Sequence, residues 1–231
     1  MRDPSYILLG HRGAPHLAPE NTLESFHKAI AAGAAGFEFD VRRSQDGALV
    51  VIHDSRTRPV QGASARKQRR LSVARTSSAE LGLPLLEDVL RTFHRAWLDI
   101  EIKVPGIERQ VLEMAHRHLD PSRFVITSFR AASVREVKRL SPATPAGWLF
   151  KRTLLTLPRW ISAPEKFALP PLEYLCPHHS VLTRHLVKLA RPRGLGLITW
   201  TVNTPATFRR VRERGADVVI TNFPDRFAGR K

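Results

Sequence analysis

Short runs of aliphatic, β-branched and aromatic residues alternate along the chain with longer stretches of helical period, the pattern of repeated strand–helix units. Eight runs read as strands: Tyr6 to Leu9, Phe37 to Val41, Trp97 to Ile102, Phe124 to Thr127, Ala146 to Leu149, Glu173 to Cys176, Gly196 to Val202 and Val218 to Thr221. Between them, amphipathic spacing predicts helices over Thr22 to Ala32, Leu86 to Arg95, Ile107 to Leu119, Ala132 to Leu140, Thr183 to Ala190 and Pro205 to Arg214. Eight such units in 231 residues predict a single-domain (β/α)8 TIM barrel spanning 1–231, close to the usual length of about 250. An open doubly wound sheet satisfies the same periodicity.

Two stretches interrupt the pattern. From Ser55 to Ala79 there are seven basic residues and no acidic one, which reads as an exposed basic excursion after the second barrel strand, lying over the site. From Ser141 to Pro171 the prolines, together with Trp148 and Trp160, exclude a long helix and predict a loop with short helical pieces.

The faces of the predicted strands carry the first chemistry. In Gly36-Phe-Glu-Phe-Asp-Val41, alternation sends Phe37, Phe39 and Val41 one way and Glu38 and Asp40 the other. Leu98-Asp-Ile-Glu-Ile-Lys103 repeats the theme, with Asp99, Glu101 and Lys103 on one face. Barrel strands are covered on both faces, so inward carboxylates from neighbouring strands need a cation, and oxygen donors suit Mg²⁺ or Ca²⁺. A solvated face, or an internal ion pair with Lys103, would explain either strand taken alone. His11 follows the first strand run and His53 follows the apolar run Ala48 to Ile52, so both fall at strand ends, where barrel enzymes gather catalytic groups. Two imidazoles beside a bound metal can divide the proton transfers of one reaction, and Arg12 can pair a phosphate bidentately.

Composition narrows the classes. Basic residues outnumber acidic ones 37 to 21, a formal charge of +16, and 29 of the 37 are arginine, which favours anionic partners. No nucleic-acid motif accompanies that charge, so no nucleic acid is expected as a partner. Cys176 is the sole cysteine, so no intramolecular disulfide can form and a reducing, cytoplasmic setting is expected. The opening apolar run is too short for a secretory leader, and no stretch reaches the roughly 18 apolar residues of a membrane span.

Ordered motifs then identify a resemblance. His11-Arg12-Gly13, Pro19-Glu20-Asn21-Thr22, Glu38-Phe39-Asp40-Val41, Asp46-Gly47 and His53-Asp54 are followed by Pro84 to Leu90, Glu101-Ile102-Lys103, Ser128-Phe129, Trp200 to Asn203 and Thr221-Asn222-Phe223-Pro224. In order and spacing the chain resembles the glycerophosphodiester phosphodiesterase family. The resemblance implies a barrel that hydrolyses glycerophosphodiesters to an alcohol and sn-glycerol 3-phosphate with a divalent metal. By motif, Glu38, Asp40 and Glu101 would hold the metal, His11 and His53 would be the acid–base pair, and Arg12 and Lys103 would hold the phosphate. Trp200 and Phe129 would wall the substrate.

His11 as base and His53 as acid is the assignment carried forward, although the residues alone allow the reverse, and either water or the substrate's glycerol 2-hydroxyl can be the nucleophile. Glu20 and Asn21 read mainly as a helix start, with Asn21 or Thr22 as cap. The segment after His53-Asp54 departs from the family's usual continuation, which leaves the alcohol group open and admits lysophospholipids, lysophospholipase D-type action and peripheral contact with an anionic membrane. A barrel that binds phosphate compounds without turning them over is the non-enzymatic alternative.

Overall fold

The computed structural model describes residues 6–57, 71–151 and 171–229. Eight parallel strands close into a barrel: β1 (Ile7–His11), β2 (Gly36–Arg43), β6 (Trp97–Ile102), β7 (Phe124–Ser128), β8 (Ala146–Phe150), β9 (Tyr174–Pro177), β10 (Gly196–Thr199) and β11 (Val218–Thr221). Pairing of β1 with both β2 and β11 completes the ring, which settles the topology in favour of the barrel over an open sheet. Helices α1 (Leu23–Ala31), α3 (Leu86–Thr92), α4 (Glu108–His118), α5 (Ala131–Leu140), α6 (Arg184–Ala190) and α7 (Pro205–Glu213) return the chain between strands, with a short α2 (Ser78–Leu81) before α3 and a short α8 (Pro224–Phe227) after β11.

Alternation on the strands divides the apolar residues into two layers. Phe37, Phe39, Val41, Leu98, Ile100 and Ile102 point outward and pack with the helices, where Phe26 of α1 stacks on Phe37 at a ring separation of 4.0 Å and Phe93 meets Phe37 edge-on. Inside the barrel, Leu9, Val125, Leu149, Cys176, Ile198, Val218 and Ile220 form a separate buried cluster. The outward set is the one predicted, and the inward faces of β2 and β6 are left to the carboxylates.

Three expectations are corrected. β2 continues past Val41 to Arg43 and turns back at Asp46-Gly47 into β3 (Leu49–Val51), which pairs with it antiparallel. The run before His53 is therefore a returning hairpin strand beside the barrel. The basic excursion is not simply exposed: β4 (Arg56–Thr57) pairs with β5 (Leu71–Ser72), and Val73 is buried with Val50 and Leu81 in a small cluster. The apolar side of the hairpin must be covered, and the end of the excursion covers it. Residues 58–70, which hold most of the excursion's arginines, and residues 152–170 of the proline-rich stretch lie outside the described residues. Third, β10 ends at Thr199 rather than Val202; Trp200 keeps only a single bridge to His178. Among the described residues, no helix is long and apolar enough to cross a membrane.

Candidate active site

The parallel register places the acidic side chains in adjacent rows. His11 lies opposite Glu38 across β1 and β2, Glu38 opposite Asp99, and Asp40 opposite Glu101 across β2 and β6. Asp40 and Asp99 are fully buried, and Glu38 and Glu101 nearly so. Carboxylate oxygens of Glu38, Asp40 and Glu101 lie within 4.8 Å of one another.

Four buried carboxylates in one wall demand compensation, and the structure provides it unequally. Lys103, one residue beyond β6, sets its Nζ 2.7 Å from Glu101 and 3.2 Å from Asp40. Arg12 places Nε 3.2 Å from Asp40 and donates from its backbone nitrogen to Glu38 at 3.0 Å, while its Nη1 donates to Glu20. Burial alone would raise the pKa of Asp40, but Lys103, Arg12 and a hydrogen bond from Asn21 outweigh it and hold this carboxyl below its ordinary value. Glu38 is pushed well up by burial and by repulsion from Asp40, Glu101 and Asp99. Burial and Asp40 raise Glu101 to about 7, and burial raises Asp99 to about 8 despite the hydrogen bond it accepts from Thr127. The wall is short of positive charge.

A hard divalent ion fits that shortage. Asp40 Oδ1 is buried with Lys103 Nζ 3.2 Å away and makes no hydrogen bond, three carboxyl groups supply oxygen donors, and a cation there would offset the burial and repulsion that raise Glu38 and Glu101.

The loop that carries Arg12 explains part of this geometry. Arg12 and Asn21 have left-handed backbones, with φ of 54° and 58°, and Gly13 has φ 90°. A Cβ on Gly13 would lie 2.3 Å from Ser25 Oγ, so only glycine allows α1 to press this close. Ser25 Oγ in turn accepts from the Ala14 backbone nitrogen and donates to the Arg12 carbonyl. Thr22, and not Asn21, caps α1, which frees the Asn21 amide to donate to Asp40 at 2.9 Å. Asn21 is thus a site residue that the capping pattern concealed.

The two histidines differ in surroundings. His11 Nδ1 lies 2.7 Å from Asn222 Oδ1, and its Nε2 faces Glu38 at 3.8 Å. Donation from Nδ1 to the Asn222 oxygen leaves the lone pair on Nε2, directed at the carboxylate cluster. Burial, and then Arg12, lower the His11 pKa to about 4, so it is a neutral acceptor at physiological pH. His53 sits at the mouth where the hairpin returns: its Nδ1 is 2.8 Å from Asp54 Oδ1, and its carbonyl accepts from Arg42 Nε. The two histidines thus have different partners, an amide oxygen for His11 and a carboxylate for His53.

The predicted wall residues also converge. Phe129 and Trp200 meet edge-on at 5.2 Å, Lys103 Nζ lies 5.7 Å from the Phe129 ring centre, and Trp200 Nε1 donates to the Cys176 carbonyl. Phe129 is 44% exposed, which excludes the core role open to it from sequence. Because β10 ends early, Asn203 reaches the β11 end, where its Oδ1 accepts from the Asn222 backbone nitrogen at 2.9 Å. Asn222 was legible only as part of a motif, and its contact with His11 comes from the fold. Beside His53, a groove of about 790 Å³ runs between the start of α1 and the hairpin, lined partly by Pro19, Leu23, Ile52, Arg56, Leu83 and Pro84.

A family model described as the glycerophosphoryl diester phosphodiesterase family matches residues 11–226. The chain belongs to that family. A glycerophosphodiester phosphodiesterase of Caldanaerobacter subterraneus subsp. tengcongensis is 28% identical, with 95% of each chain covered. The crystal structure of the Thermotoga maritima glycerophosphodiester phosphodiesterase superposes with a TM-score of 0.81 at 28% identity, covering 97% of both chains. An Oleispira antarctica phosphodiesterase solved with the product sn-glycerol-3-phosphate shares the fold, with a TM-score of 0.79 at 22% identity and coverage of 95% of this chain and 94% of that one. The carboxylates, histidines and cations that define the site all lie within the span matched by the phosphodiesterase family model.

Proposed function

We propose that this chain hydrolyses glycerophosphodiesters to an alcohol and sn-glycerol 3-phosphate, with His11 as base, His53 as acid and a divalent cation, Mg²⁺ or Ca²⁺, held by Glu38, Asp40 and Glu101. The conclusion rests on one observation: three buried carboxylates within 4.8 Å of one another lie between a neutral imidazole and one paired with a carboxylate. The Oleispira protein's bound product supports the choice of glycerol phosphate as the common half of the substrate.

When bound, the cation would polarise a phosphate oxygen and stabilise the charge that builds up as phosphorus becomes five-coordinate. His11 Nε2, with its proton count set by Asn222, takes the proton of the attacking hydroxyl. His53 Nε2 gives a proton to the departing alkoxide. Arg12 and Lys103 hold the phosphate at the edge of the carboxylate cluster with which they now pair. Phe129 and Trp200 close one side of the mouth against water.

The groove beside the proposed acid is where a leaving alcohol would extend, and its partly apolar lining favours a second reading, lysophospholipase D-type action on lysophospholipids. One assay tests both. The purified protein is incubated with glycerophosphocholine, glycerophosphoethanolamine, glycerophosphoglycerol or lysophosphatidylcholine, with Mg²⁺, Ca²⁺ or a chelator. The expected result is chelator-sensitive release of glycerol 3-phosphate, and choline release from the lysolipid would add the second activity. Detection of a cyclic phosphate before the final product would identify the glycerol 2-hydroxyl as nucleophile. Absence of turnover on every substrate with either metal would reduce the chain to a phosphate-binding barrel.

A further inference from the structure

Asn222 is held from three directions. Its side chain meets His11, its backbone nitrogen is held by Asn203, and its carbonyl lies 2.7 Å from His16 Nδ1. His16 is absent from the motifs that mark the catalytic residues. It lies in the loop between β1 and α1, its side chain only 18% exposed, with its ring against Phe223 at 4.9 Å between ring centres.

Both ring nitrogens of His16 face oxygens that accept. Nδ1 faces the Asn222 carbonyl, and Nε2 lies 2.8 Å from Asp225 Oδ1 at the start of α8. A carbonyl can only accept, so Nδ1 donates to it, while Nε2 is buried beside the Asp225 carboxylate. The ring is therefore a clamp between the turn after β11 and the start of α8. The other charged group facing this side is Arg226, whose guanidinium lies 3.9 Å from the Phe223 ring centre.

We propose that His16 is a positioning residue: clamped between the Asn222 carbonyl and Asp225, it holds the turn after β11 so that Asn222 Oδ1 takes the Nδ1 proton of His11 and leaves Nε2 free to act as base. The consequence for catalysis rests on the role given to His11 above, whereas the ring chemistry does not. His16 lies two hydrogen bonds from the reacting centre and acts through Asn222.

The decisive measurement is a long-range ¹H–¹⁵N spectrum of the full chain labelled at histidine, taken at pH 7. His16 is expected to show a protonated Nδ1, and His11 a single tautomer protonated at Nδ1. His16→Gln or Asp225→Ala should convert His11 to a mixture of tautomers. In the hydrolysis assay, either variant should lower kcat about tenfold with KM unchanged. Combined with Asn222→Ala, His16→Gln should add no further loss, because it acts through Asn222. If His16→Gln does not fold, Asp225→Ala, which removes a half-exposed carboxyl, carries the same comparisons. An unchanged His11 tautomer in the variants, or additive losses in the double variant, would overturn the proposal. The spectra need no substrate, so a chain without hydrolytic activity would defeat the functional reading while the tautomer of His11 is still measured.

Discussion

The two sides of the barrel interior are built from opposite materials. Along β2 and β6 the inward row is Glu38, Asp40, Asp99 and Glu101; along β9, β10 and β11 it is Cys176, Ile198, Val218 and Ile220. Both are buried, and both derive from the same two-residue alternation. The apolar side gains free energy from burial, whereas the acidic side loses it unless protons, Arg12, Lys103 or a metal neutralise the charge. Stability and chemistry are thereby assigned to different staves of one barrel. A wall with no protein cation to spare is a wall prepared to take one from outside.

The largest expected effect separates the two functions completely. His11→Ala or His53→Ala should lower kcat by about 10²–10⁴-fold while leaving the thermal midpoint unchanged, measured by steady-state kinetics beside calorimetry. A variant that keeps near-full turnover would remove that histidine from the mechanism. On the apolar side the pattern should invert. Ile198→Ala leaves a cavity in a fully buried position and should cost about 2–5 kcal/mol in denaturant unfolding, with the kcat of the folded fraction retained. Equal damage to stability and turnover from this change would dissolve the contrast.

A subtler test sharpens the cost of the acidic wall. In chelator, the folded chain holds Asp99 and Glu101 protonated, to about pH 8 and about pH 7, whereas the unfolded chain releases those protons near pH 4. The folded state therefore binds more protons between roughly pH 4 and 8, so its stability falls as pH rises through that window. Asp99→Asn should raise the midpoint at pH 8 by more than at pH 5, and added Mg²⁺ or Ca²⁺ should stabilise the parent chain increasingly from pH 6 to 8, because the ion competes with the Glu38 and Glu101 protons. Midpoints that do not vary with pH in chelator would mean that the wall ionises at no cost. The smallest effect belongs to the rim. Phe129→Ala removes an exposed ring from beside Lys103 and Trp200 and should raise KM a few-fold with little change in stability.

Much of this was legible from residue order because alternation is local. Glu38, Asp40, Asp99 and Glu101 were separable from Phe37, Phe39, Leu98 and Ile100 by position alone, and the strand spans followed within a residue or two, apart from the early end of β10. Elsewhere the local signal misled. Asn21 sits where a cap is expected, and the capping bond went to Thr22 because the left-handed turn sends the Asn21 amide to Asp40. The excursion after His53 is rich in arginine and reads as solvated, but Val73 is drawn in by the uncovered side of the β2–β3 hairpin.

Residue order determined that this chain forms repeated strand–helix units, that two neighbouring strands carry acids on one face, and that histidines follow two apolar runs. Those properties depend on backbone geometry over a few residues. Tertiary structure alone gave His11 its partner, because Asn222 lies 211 residues away and meets it only when β11 closes the ring against β1. It also raised the pKa of Glu38, Asp99 and Glu101 and lowered that of Asp40, since burial and charge separation are properties of a closed barrel and have no counterpart in an extended chain.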